Sequence, residues 1–295
     1  MNYILNTIIL ILSLAAVLSF SCNQEKSSKN EKNKEAVLNY EDETLALLDF
    51  FEKTGNYINS ENIPALITAE EVYNYVDEYK IIDIRKPEDF RIGHIEGAIN
   101  IQINEIIDYL KFDVSAVVYE KIVIICNTGM DASFVSSVLR LLGYDNVYAM
   151  KFGMSAWNMN FAKEYWTKNT SGSFSSKIVA EEYPKAPKGE YPKISTGKKI
   201  AYQILEERSR QILDSLKFKI KAGYLFENLS NYYIINYWPQ FQYEKGHIPG
   251  AIQYTPRASL VKDSTLYTLP VDQPIVLYEY TGHHSAFATA YLQLL

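Results

Sequence analysis

Cysteine is nearly absent from this chain: 295 residues contain only Cys22 and Cys126. Two thiols so far apart cannot build the disulfide framework on which small secreted domains rely. Histidine is as sparse, with four residues, and none lies in the loop that follows Cys126. Basic charge is not in excess either, since 29 Lys and Arg face 35 Asp and Glu for a net charge of −6. No basic patch or stripe of interleaved aromatics appears, so nucleic acid is not an expected partner. No metal and no cofactor is expected. What remains is an acidic chain, 47% hydrophobic, long enough for one or two cores. Its 24 tyrosines are spread through predicted strands and helices and read as packing and rim residues.

The one long apolar run is Ile4 to Phe20, followed by Ser21-Cys22 and a polar stretch rich in Asn, Lys, Ser and Glu. Residues 1–22 read as an export signal and stand apart from the fold. A small residue before a cysteine at the end of such a run resembles the lipobox of bacterial lipoproteins, which implies acylation of Cys22. Ser19 stands where Leu is usual, and no Lys or Arg precedes the run. An uncleaved single-span anchor is therefore the alternative. Either way the chain is expected to be exported and tethered to the cell envelope, on its periplasmic or surface face.

Residues 23–60 read as a charged linker and an amphipathic helix over Glu41 to Lys53, carrying Leu45, Leu47, Leu48, Phe50 and Phe51. Thr68 followed by Glu71 has capping-box spacing and starts a helix at Ala69. Strands are predicted at Lys80 to Arg85, Ile122 to Ile125 and Asn146 to Met150, with a helix at Ala132 to Leu142. Strands separated by helices predict an α/β fold with a parallel sheet covered on both faces.

The pattern repeats. Gly246-His247-Ile248-Pro249-Gly250-Ala251-Ile252 echoes Gly93-His94-Ile95-Glu96-Gly97-Ala98-Ile99, and Gly282 echoes Gly129. Both pairs share one offset (246 − 93 = 153 and 282 − 129 = 153), which marks a duplicated domain. The domains are set at 61–167 and 200–295, joined by a Ser-, Gly-, Lys- and Pro-rich linker or extended wrap at 168–199. Leu295 matches Leu142, so the second sheet is expected to want a further strand and the native chain to continue.

Cys126 ends a β-branched strand and opens the loop Asn127-Thr128-Gly129-Met130-Asp131-Ala132, which runs into an apolar-periodic helix. Converging amides and the positive end of a helix favour thiolate over thiol. Gly129 accepts the backbone angles that turn amides inward as an anion nest.

Ile82-Asp83-Ile84-Arg85, Gly93 to Ala98, the Cys126 loop, Leu142 to Tyr148 and Gly153-Met154-Ser155-Ala156-Trp157 together resemble the rhodanese family. The resemblance implies two rhodanese-like domains and a sulfurtransferase that carries sulfane sulfur as a Cys126 persulfide. It implies a substrate-binding loop at 127–132, with Asp83 and Arg85 in support, and a small sulfur donor or a persulfidated protein as partner. Asp131 departs from the Arg that family members often place there, so thiosulfate is not the expected donor. Phosphatase activity is not expected, because related phosphatases end a longer loop in Arg.

In the second copy Glu279 takes the cysteine position, Asn236 that of Asp83 and Trp238 that of Arg85. That copy has no nucleophile and is expected to serve packing or partner binding. His283 and His284 are expected to be solvated loop residues, with a cation site alongside Glu279 as a minor reading. His94 and His247 are expected to bond their own loops, and Arg85 to pair with Glu88 or Asp89 near the surface. The rival reading of the whole chain is a non-catalytic binding or regulatory module of the cell envelope.

Overall fold

A computed structural model describes residues 42–112 and 118–295. The predicted export segment and Cys22 lie outside the described residues. Among the described residues, no helix is long and apolar enough to cross a membrane.

Helix α1 (Glu43–Lys53) begins where the Asp42 carboxylate accepts the amides of Thr44 and Leu45. That cap satisfies donors a helix start otherwise leaves orphaned. Its apolar face buries Leu47, Leu48, Phe50 and Phe51. The helix was expected to pack on the domain that follows it, yet it also docks against α7 (Ala201–Ser215) of the second half, Phe50 meeting Tyr202 at 6.3 Å. The linker adds to this contact. Thr44 Oγ1 donates to Pro192 O at 2.6 Å, and Glu43 accepts the amides of Thr196 and Gly197.

The first sheet has five parallel strands: β1 (Leu66–Ile67), β2 (Lys80–Asp83), β3 (Ile99–Asn100), β4 (Ile122–Ile125) and β5 (Val147–Met150). Their order is β1-β5-β4-β2-β3. Alternate residues face opposite sides. Ile82, Ile122 and Ile124 enter one core with the helix α5 (Met130–Leu141), while Ile81, Val123 and Ile125 enter another with Val72 and Met154. Those last two belong to α2 (Ala69–Asn74) and α6 (Met154–Trp157), so helices cover both faces. Thr68 caps α2 by accepting Glu71 N at 3.1 Å. The remaining helices of this half are α3 (Pro87–Ile92) and α4 (Ile106–Phe112).

The second half repeats the central part: β6 (Tyr233–Asn236), β7 (Ile252–Gln253) and β8 (Ile275–Tyr278) form a parallel sheet in the order β7-β6-β8. Helices α8 (Ala222–Glu227) and α9 (Gln240–Tyr243) precede α10 (His283–Leu294), the counterpart of α5. The two counterparts pack directly on each other. Ser137 Oγ of α5 donates to Phe287 O of α10 at 2.9 Å, and Phe134 and Phe287, 153 residues apart, are both fully buried. One apolar core therefore runs through both repeats, including Ile124 and Ile235 from the two sheets.

In each sheet the chain leaves β2, or its counterpart β6, to one side for β3 or β7 and returns on the other as β4 or β8. That places a topological switch at the carboxyl ends of β2 and β4, where ligands bind in open α/β sheets.

Candidate functional site

Cys126 follows directly on β4, whose four residues are wholly buried. The chain then turns through Gly129, whose φ of +85° lies in the left-handed region, into the first turn of α5. This brings two amides onto the sulfur: Gly129 N at 3.1 Å and Ala132 N at 3.3 Å from Sγ. A second segment straps the loop from behind. Met154 N donates to Cys126 O at 2.8 Å, and Ser155 donates to Asn127 O through both its amide and its hydroxyl.

The thiol is only 3% exposed. Burial pushes it up, the Asp131 carboxylate pushes it further, and the amides of Ala132, Thr128 and Gly129 pull it back, leaving it raised to about 11. The loop amides thus favour thiolate as expected, but burial and Asp131 together outweigh them.

Asp131 is not a free acid at the mouth. Lys219, from the second half, approaches its carboxylate to 2.7 and 3.0 Å. The two residues are 88 positions apart, so sequence spacing carried no sign of the pair.

Asp83 and Arg85 lie beside the loop, since Asp83 is in register with Ile125. Their side chains, however, are engaged with each other. Arg85 grips Asp83 at 2.6 to 3.0 Å through Nε and Nη2, with both side chains buried, and Nη2 also donates to Gly93 O at 2.7 Å. The expected pairing with Glu88 or Asp89 is thus wrong: Arg91 takes Glu88, and Asp89 accepts from Tyr165. The i,i+2 step past the end of β2 brings Asp83 and Arg85 together, and Asp83 also accepts the Arg85 amide.

His94 Nδ1 and His247 Nδ1 bond the carbonyls of Phe90 and Tyr243 as expected for loop bracing. A cleft of about 450 Å³, lined among others by His94, Trp157, Phe161, Glu164 and Tyr165, opens beside Met154. Of its lining, Gly93 and His94 belong to the motif Gly93 to Ala98 and Met154 and Trp157 to the run Gly153 to Trp157. The others come from the end of α3 and the segment after α6, which carry no comparable signal.

The second copy explains its missing thiol. Glu279 puts a carboxylate where the first copy has sulfur, and that carboxylate accepts Thr281 N at 3.0 Å, Thr281 Oγ1 at 2.9 Å and His284 N at 3.1 Å. The loop is therefore an anion nest already filled by its own side chain.

His283 is 1% exposed, which corrects the expectation of a solvated histidine. It reaches across to the first copy, where Phe152 N donates to its Nε2 at 2.9 Å, while Nδ1 faces Thr281 Oγ1 at 2.7 Å. Burial pushes this imidazole down to about 4, against the pull of Glu279, so it is neutral near pH 7. Among the described residues, no group of His, Cys, Asp and Glu is arranged to hold a metal ion.

Residues 68–160 and 224–295 match the family model of the rhodanese-like domain. Thiosulfate sulfurtransferase GlpE of Shewanella oneidensis is 30% identical over 79 residues, covering 27% of this chain and 75% of that protein. GlpE of Pseudoalteromonas translucida is 29% identical over 91 residues, covering 30% of this chain and 81% of its own. The tRNA uridine(34) hydroxylase of Buchnera aphidicola is 24% identical over 108 residues, and the match takes in 34% of this chain and 33% of that enzyme. Among solved structures, thiosulfate sulfurtransferase from Pseudomonas aeruginosa aligns with 81% of this chain and 43% of its own, at 16% identity and a TM-score of 0.33. The two matched regions cover more than half of the sequence and fall on the two parallel sheets, so the chain belongs to the rhodanese-like domain family.

Proposed function

We propose that this chain is a sulfurtransferase that moves sulfane sulfur through a persulfide on Cys126. In the first step the Cys126 thiolate attacks the outer sulfur of a donor; a Cys126 S–S bond forms, and the donor's own bond to that sulfur breaks and leaves with its electron pair. In the second, a nucleophilic acceptor attacks the outer sulfur and Cys126 departs as thiolate. The reading is carried by one observation: two loop amides already point at Sγ, at 3.1 and 3.3 Å. The same donors serve thiolate and persulfide anion.

The Asp131 carboxylate beside the loop and the burial of the thiol favour a donor presented by a docking protein, such as a persulfidated carrier, over free anionic thiosulfate. The membrane tether through an acylated Cys22 is part of the same proposal and would place the exchange at the cell envelope.

The burial of Cys126 supports a second reading, a non-catalytic binding or regulatory module. Intact mass after incubation with thiosulfate, mercaptopyruvate or a persulfidated carrier separates the two. Transfer predicts a gain of one sulfur atom that is lost in Cys126→Ser. No gain with any donor leaves the binding module.

A further inference from the structure

The first and second repeats meet at the Cys126 loop, and the contact carries charge. The segment before α8 is pinned there at three successive residues. Gln293 Nε2 of α10 donates to Lys217 O at 3.0 Å, Phe218 stacks on Phe134 of α5 at 4.6 Å and 25°, and Lys219 pairs with Asp131 at 2.7 Å. Lys219 thus differs from an ordinary surface lysine, since the stacked ring beside it fixes where its stem starts. On the same side, Gly129 faces His283 of the second repeat so closely that a Cβ there would lie 2.4 Å from Nε2.

We propose that Lys219 is a positioning residue for the Cys126 thiol: the second repeat, which has no nucleophile of its own, supplies the cation that offsets part of the Asp131 charge and so eases thiolate formation in the first. The proposal rests on Cys126 being the reactive group of the proposed function, but it concerns ionisation and needs no sulfur transfer. An acid in the first turn of α5 opposes a thiolate held by the amides of that same turn. Nothing on α5 or its loop offsets it. His283 is neutral, Arg85 is committed to Asp83, and the Lys151 ammonium sits over the Phe152 ring. Lys219 is the group in ion-pair contact with the Asp131 carboxylate. The arrangement places on the other repeat a cation the loop does not carry, so docking of the repeats tunes the thiol.

The test is the rate of Cys126 alkylation by iodoacetamide at pH 8, followed by mass spectrometry of the Cys126 peptide in the full chain. Wild type, Lys219→Met, Asp131→Asn and the double variant are compared. Lys219 is about half exposed and Asp131 partly so, and both replacements preserve side-chain length or shape. Lys219→Met is expected to slow alkylation roughly 2- to 5-fold, the size of a partly exposed charge pair. In the Asp131→Asn background the same change is expected to produce a clearly smaller effect, under about 2-fold. An unchanged rate in Lys219→Met, an equal effect in both backgrounds, or a Cys126 that reacts in none of the variants would each overturn the proposal. Sulfur transfer can fail with this pattern intact, so the two readings fail separately.

Discussion

The thiol site depends on single residues whose neighbours leave no room for change, and Gly129 is the sharpest case. Its φ of +85° strains any side chain, and an added Cβ would meet His283 Nε2 at 2.4 Å and Phe152 N at 2.8 Å. Gly129→Ala is therefore expected to destabilise the protein by about 2 kcal/mol or more, read from chemical denaturation. It should also slow Cys126 alkylation, because Gly129 N is one of the two sulfur donors. Stability and reactivity both at wild-type level would contradict this account of the loop. The role of Gly129 was legible in the sequence, since a glycine between a buried strand and a periodic helix marks a positive φ. Its second constraint was not, because His283 stands 154 positions away and only the docking of the repeats brings it near.

At the level of elements, the end of β2 holds the sheet's carboxyl edge together. Asp83 is 1% exposed and bonds Arg85 through both oxygens, while Asn100 of β3 donates from Nδ2 to the carbonyls of Asp83 and Arg85 at 2.8 Å. Removing one partner of a buried ion pair leaves the other uncompensated, at a cost of about 3–5 kcal/mol. Asp83→Ala should lower the unfolding free energy by that amount in chemical denaturation, whereas Glu88→Ala, which breaks the exposed pair with Arg91, should be close to neutral. The strands and their helices were readable from periodicity: Ile122–Ile125 appears as predicted, and α5 begins two residues before the predicted start. The partner of Arg85 was misread, because Glu88 and Asp89 suit a helical i,i+3 or i,i+4 contact while Arg85 itself lies outside the helix, next to the strand end.

In the whole molecule, α5 and α10 make the two repeats one structure. Phe287 is fully buried at their seam, in a core that contains residues of both sheets. Phe287→Ala should cost about 3–5 kcal/mol. Calorimetry should still show one transition at a lower temperature; two separate transitions in the wild type would contradict a shared core. The seam also has a pH signature. His283 is pushed down from 6.5 to about 4, so its contribution to stability is complete above about pH 6.5 and is lost as pH falls toward 4. The full loss is on the order of 3 kcal/mol, and His283→Gln should flatten that part of the profile. The duplication itself was visible in the constant offset of 153 residues. How the copies dock was not, since Lys219 and His283 act across a seam whose partners share no local pattern.

Whether Cys126 carries sulfur is read from intact mass. The full chain is incubated with a persulfidated carrier protein, with thiosulfate and with mercaptopyruvate, and its intact mass is recorded beside that of Cys126→Ser. A gain of one sulfur atom at Cys126 is expected, strongest with the carrier and absent in the variant. A wild-type chain that gains no sulfur from any of the three donors, or a Cys126→Ser chain that gains as much, would contradict it.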